Sequence, residues 1–413
     1  MQTSLIFCIF VVVVTVIFTR RRSSLSFLRG PAPISLILGH EYELTRQSDV
    51  GILEFAWVKK YGSALRISGC FSEEILMICD PMGLQHIMQS QNYPKTQDIR
   101  LIAERVFGRG LLWATGETHQ RHRRALNPAF SAHQLKQFVP FFQEATTKFI
   151  AKWNVHLEGQ PNVFNMAEWI PKITLDIIGR CAFDFDFGVL EGTAEYNELY
   201  RTIRDMFLDS TSPTAITVLY SAIRRRFPAS LGFKMFTTKE DRRLSAFLSA
   251  SRDASKKILS QKLASDPNIG DDKDILSVLV RSAVYDDPKK RLSEDEIISQ
   301  MATIILAGHE TSASTMSWML YELSRHPESQ AKVYGEISKI RTQHGYDDPL
   351  TTTHYDSLAY FNSVIKETLR LHPILPILVR EANCEDTIPL SIRSTTNLEN
   401  LNPTFRFPKA SES

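Results

Sequence analysis

The pattern that most constrains this chain lies between residues 293 and 325. Ser293 and Glu296 make a capping-box pair, and Glu294 and Asp295 suit the positive end of a helix. Arg325, His326 and Pro327 supply a stop signal. The helix predicted between them is about 48 Å long, enough to cross a domain. Ile297, Met301, Ile304, Gly308, Met316, Leu320 and Leu323 recur at helical spacing. Other apolar residues sit around the rest of its circumference, as in a helix that runs through a core.

The remaining sequence agrees with a mainly α fold carrying a small β portion. Short strand-like runs occur near residues 64–67 and 75–78. Beyond about Pro81 the pattern is helical, divided at Asn127-Pro128, Gly159-Gln160-Pro161, Asp266-Pro267, Asp287-Pro288, Pro327 and Pro349. With 413 residues, 43% of them hydrophobic, the chain can bury a large core. One compact body over residues 34–390 is expected, followed by a divergent tail at 391–413. The net charge of +2 gives no argument for nucleic acid as a partner. The five cysteines are scattered and odd in number, without zinc or disulfide spacing, so they read as small core residues in a reducing compartment.

Residues 5–18, LIFCIFVVVVTVIF, are almost wholly apolar. Taken with their flanks as residues 1–19, they reach about 28 Å as a helix, close to the hydrocarbon thickness. No basic residue precedes them, Arg20, Arg21 and Arg22 follow, and no small-x-small cleavage site stands behind. A transmembrane anchor with its arginines on the cytoplasmic side is expected, rather than a cleaved signal peptide. Residues 20–33 form a basic, proline-rich hinge ending in Gly30-Pro31-Ala32-Pro33.

The long helix breaks its apolar pattern at Ala307-Gly308-His309-Glu310-Thr311-Ser312. Glycine costs about 1 kcal/mol in a helix relative to alanine, so Gly308 needs a reason. Two readings are open. The helix can open a groove here that holds a proton donor, or Gly308 can mark close helix packing with Thr311 bonded to its own backbone. A zinc protease is excluded, because the fifth position of the H-E-x-x-H pattern that His309-Glu310 begins is Ala313 and not histidine.

The run from Ala307 to Thr311 resembles the oxygen-binding helix of the cytochrome P450 family, the haem-thiolate monooxygenases. KETLRLHP carries Glu367 and Arg370, similar to the family's E-x-x-R helix, 56 positions beyond Thr311. GETHQRHRRALNPAF from Gly116 resembles the helix that reaches a haem propionate, and TLDIIGRCAFDFDFG from Thr174 resembles a further helix and its exit. The likeness runs to about Pro389-Leu390.

The resemblance implies a haem cofactor and the insertion of one oxygen atom of O2 into an apolar small-molecule substrate. It implies electrons from an NADPH-dependent flavoprotein reductase, and a body held at the endoplasmic reticulum membrane. Thr311 and Glu310 would deliver protons, and Gly308 would leave room for oxygen. Arg123, Arg380 and, with an imidazole where the family has an aromatic donor, His119 would hold the propionates. Without the resemblance, Arg121, His122, Arg123 and Arg124 read as a solvated basic face. Glu367 and Arg370, flanked by Tyr360, Phe361, Val364, Ile365, Leu369 and Leu371, are expected as a buried structural pair.

The family's F-x-x-G-x-x-x-C-x-G loop, which carries the iron-ligating cysteine, has no counterpart among these residues. Cys384, in EANCEDTIP, lacks its glycines and aromatic, and the resemblance assigns it to a strand on the substrate side. No metal ligand is therefore assigned, and haem binding and catalysis by the chain as written are not expected. A non-catalytic, membrane-anchored binder of apolar ligands is the alternative.

Overall fold

The computed structural model describes residues 25–158, 164–192, 194–208, 213–225, 238–265, 274–283, 291–346, 348–391 and 404–407. The principal helices are α1 (Ile52–Tyr61), α2 (Pro81–Gln89), α3 (Gln97–Phe107), α4 (Gly116–Leu126), α5 (Val139–Leu157) and α6 (Met166–Phe183). They continue as α7 (Ala194–Leu208), α8 (Ala215–Arg225), α9 (Lys239–Ser265), α10 (Ile275–Ala283), α11 (Glu294–Arg325), α12 (Pro327–His344) and α13 (Ala359–Leu371). The strands are β1 (Ala64–Ser68), β2 (Glu74–Ile78), β3 (Asp386–Pro389) and β4 (Thr404–Phe407). The mainly helical expectation with a small β portion is met. The chain divides into two compact units, Met1–Asp98 with Asp209–Thr237 and Val379–Ser413, and Ile99–Leu208 with Thr238–Leu378.

In the first unit β1 and β2 pair antiparallel from Ala64↔Ile78 to Ser68↔Glu74, close to the two runs expected from sequence. The turn between them puts Phe71 and Ser72 at positive φ. β3 and β4 form a second antiparallel pair. Asp80 ties the unit together. Its buried carboxylate caps α2 by accepting the Met82 and Gly83 amides, with Pro81 at the first helical position. The same carboxylate accepts the backbone N–H and the hydroxyl of Ser391, just beyond β3. Nearby, His86 Nε2 and the Tyr93 hydroxyl both reach Asp386 Oδ2, at 2.8 and 3.0 Å. Cys384 lies in the bend before β3 rather than in a strand as expected.

In the second unit α11 packs along α6, and the core between its helices includes Leu175, Phe183, Phe187, Ile203, Phe247, Ile258, Leu279, Ile298, Met301 and Ile305. α11 begins where the sequence placed it. The Ser293 hydroxyl accepts the Glu296 amide, and the Glu296 carboxylate accepts the Ser293 amide. It ends at Arg325 because His326 leaves helical geometry and Pro327 starts α12. Residues 297–306 of α11 are buried throughout, whereas from Ala307 onward one side of the helix is exposed.

The anchor at residues 1–19 and most of the hinge lie outside the described residues. Among the described residues no helix is long and apolar enough to cross a membrane. Of the two longest, α9 carries charged residues through its length, and α11 has charged residues at both ends and Glu310 with other polar residues in its middle. This corrects the expected transmembrane placement in the endoplasmic reticulum.

Candidate active site

The polar break in α11 is a site of close packing. A Cβ built on Gly308 would stand 2.6 Å from Ile178 Cδ1 of α6, so the absent side chain lets the two helices meet. The helix runs unbroken through this stretch. The Thr311 hydroxyl donates to the Ala307 carbonyl at 2.8 Å and the Ser312 hydroxyl to that of Gly308 at 3.1 Å. Of the two readings open from sequence, the packed one describes this geometry, because a hydroxyl with a carbonyl one turn back bonds to it without opening the helix. Thr311 is exposed, Glu310 is half-buried, and burial raises the Glu310 carboxyl above its usual range. His309 is fully buried.

α4 faces two ways. His122 is fully buried, and its Nε2 lies 3.0 Å from Glu296 Oε1. Gln300 uses its carbonyl oxygen to accept the Leu111 amide, so its NH2 faces His122 Nδ1 at 3.0 Å. That makes Nδ1 the acceptor and Nε2–H the donor. Arg121 adds two bonds to Glu296, at 2.9 and 2.6 Å, and one to the Arg291 carbonyl. Burial pushes the Glu296 carboxyl up, but the Arg121, Ser293 and His122 hydrogen bonds outweigh it and hold the group at about 2. The solvated basic face expected from sequence is therefore only half present. Arg123 and Arg124 are exposed, whereas Arg121 and His122 join α4 to the start of α11. Among the described residues the Arg123 guanidinium has no hydrogen-bond or ion-pair partner, and His119 is half-buried one turn before it.

Glu367 and Arg370 meet as expected, through two bonds of 2.7 Å, but their side chains are 55% and 67% exposed. The expected burial is corrected. Leu369 and Leu371, which suggested a buried helix, are themselves exposed, and the pair has the small weight of a surface contact. Arg380 belongs to the first unit, half-buried, with its guanidinium on the Val379 carbonyl at 3.0 Å. The structure thus gathers Gly308, Glu310 and Thr311 on one stretch of α11, and Glu367 with Arg370 on α13. Sequence reading missed Arg121, His122 and Gln300; the only signal was a histidine inside an arginine run, followed far downstream by the Glu296 cap.

The described cysteines do not fit an iron ligand. A ligating thiol must be deprotonated, which favours an electropositive, accessible setting. Cys181 is buried in the α6 core, and burial pushes its thiol up to about 12. Buried Cys70 gives its proton to the Leu38 carbonyl. Burial and the neighbouring Asp80 carboxylate raise Cys79. Cys384 stands in the bend before β3, apart from any cluster of metal-binding side chains among the described residues. The exposed Arg123 suits a haem carboxylate, but these residues supply no thiolate, so the group as a whole is not fitted.

A family model described as cytochrome P450 matches residues 31–391. The chain belongs to the cytochrome P450 family. Among curated relatives, cytochrome P450 monooxygenase claQ of Ampulloclitocybe clavipes is 32% identical over 375 residues, 90% of this chain and 69% of that protein. Cytochrome P450 monooxygenase claP of the same organism is 32% identical over 94% of this chain and 72% of its own length. Cytochrome P450 monooxygenase 205 of Postia placenta is 28% identical over 89% of this chain and 68% of its own. The crystal structure of the cytochrome P450DA haem domain matches with a TM-score of 0.67 at 20% identity, covering 88% of this chain and 73% of that one. That likeness fixes the fold. Cytochromes P450 are haem-carrying oxidoreductases, and the relatives' names say monooxygenase. None of these names carries a membrane placement.

Proposed function

We propose that this chain forms the oxygen-side part of a haem-dependent monooxygenase that inserts one oxygen atom of O2 into an apolar small molecule. Electrons would come from an NADPH-dependent flavoprotein reductase. The observation that carries the reading is the α11 stretch, where Gly308, Glu310 and Thr311 sit together within a chain of this family. Bound haem supplies redox chemistry on oxygen. The chain's own residues hold and move protons: the Glu310 carboxyl is a proton store, and the exposed Thr311 hydroxyl passes the proton on. Gly308 keeps α11 against α6. Arg123, His119 and Arg380 are the proposed partners of the haem carboxylates, and Glu367 with Arg370 a structural pair.

A second reading, a non-catalytic binder of apolar ligands, is favoured by one observation: no cysteine of this sequence stands in a ligand loop. One experiment separates the two. The chain is prepared alone and as a chimaera carrying the cysteine-loop segment of a relative, each loaded with haem. The chimaera, reduced under carbon monoxide, is expected to show the red-shifted band of a thiolate-ligated haem and to oxidise apolar substrates with a reductase; the chain alone is expected to show neither. A chimaera that binds haem through thiolate yet oxidises nothing favours the binder.

A further inference from the structure

His309 sits inside the oxygen-side stretch, and nothing above gives it a role. Its ring is fully buried, which is costly for an imidazole unless both nitrogens are satisfied. Nδ1 faces the Ile305 carbonyl one turn back at 2.9 Å. A carbonyl only accepts, so Nδ1 carries the proton and Nε2 is left as a bare acceptor. Nε2 is fully enclosed and receives no hydrogen bond. The atom nearest to satisfying it is Oε2 of Glu310, the next residue, at 3.4 Å.

Glu310 is the complementary half. Among the described residues no lysine or arginine pairs with its carboxylate, and no N–H or O–H donates to it. From α7 the titratable group that senses Glu310 is Tyr200, whose hydroxyl is occupied by the Glu168 carbonyl at 3.2 Å. One proton placed between Oε2 and Nε2 would satisfy both side chains.

We infer that His309 and Glu310 form a single-proton pair, with the proton on the Glu310 carboxyl and donated to His309 Nε2. Burial acts in the same sense on both groups, raising Glu310 and lowering His309, so each prefers its neutral form. The inference rests on the monooxygenase reading only for its use: His309 is a positioning residue that keeps the Glu310 proton at the start of the Thr311 route. When Glu310 gives up that proton the pair becomes neutral imidazole and carboxylate, and one proton from water restores it. No electron moves.

The test uses the full chain with 15N-labelled histidine, followed by NMR. His309 signals, identified by their loss in His309→Gln, are expected as the neutral Nδ1–H form throughout about pH 5 to 8. Glu310→Leu is expected to shift the Nε2 signal toward that of a free acceptor. An Nε2–H tautomer, an imidazolium at neutral pH, or an Nε2 signal unmoved by Glu310→Leu overturns the pair. An infrared carboxylic-acid band at pH 6, lost in Glu310→Gln, is the second measurement, and its absence overturns the pair as well. A chimaera that oxidises nothing would strike the monooxygenase reading while leaving these signals as they are.

Discussion

The imidazole Nε2 of His122 lies 3.0 Å from Oε1 of Glu296, joining two helices whose contacting residues are 174 positions apart. The same carboxylate caps α11 and holds Arg121. Glu296→Gln removes the charge and leaves His122 facing a weaker acceptor. It should destabilise the second unit by about 1.5–3 kcal/mol, the usual weight of hydrogen bonds to a charged group, measured by urea unfolding. The Glu296 carboxyl is held below its unfolded value, so its contribution is present above about pH 4.5 and is lost as pH falls through about 2. Wild type should lose stability across that window, and Glu296→Gln should lack this component.

Asp176 gives the opposite sign. Its carboxylate accepts the Val189 and Leu190 amides at 2.9 and 2.8 Å, fastening the exit of α6. Burial, helped by the Asp186 and Glu191 charges and opposed by those two amides, raises the group to about 6. Its folded value stands above the unfolded 3.8, so its stabilising effect is complete below about pH 4 and fades as pH rises through about 6. Thermal melts of Asp176→Ala should lose this dependence. At low pH the variant should be less stable than wild type by about 1–3 kcal/mol, because two amides lose their acceptor.

The contact of Gly308 with Ile178 predicts a compensating pair. Gly308→Val should cost about 1–3 kcal/mol through overpacking. Ile178→Ala vacates the space, so the double variant should be more stable than the sum of the single changes. A double-mutant cycle in urea that returns simple additivity would show that the two side chains do not compete.

Asp80→Ala should remove a helix cap and the fastening of Ser391 together. A cap alone is worth about 0.5–2 kcal/mol, and the loss should exceed that range. Proteolysis should then cut near residue 391 faster in the variant than in wild type.

The course of α11 was legible because local signals decided it: a capping box at one end, a proline at the other, and apolar residues of helical period between. The family likeness was legible in short motifs for the same reason. The role of His122 was not, because its burial is imposed by Glu296 and Gln300, far along the chain, and a histidine among arginines looks like surface. The exposure of Glu367 and Arg370 was misread from Leu369 and Leu371. Apolar neighbours report that a helix face is greasy, not that something covers it.

The link between Asp80 and Ser391 spans 311 positions. A ribosome adding about 5–20 residues per second would take roughly 15–60 s to go from one to the other. During that interval the helix that Asp80 caps can form, but the partner that completes its carboxylate does not yet exist. The Asp80 carboxylate stays only partly satisfied while the helical portion between the two residues is made. Until Ser391 is made, the described residues around Asp80 lack one of their fastenings, which makes them a natural place for a chaperone to hold on.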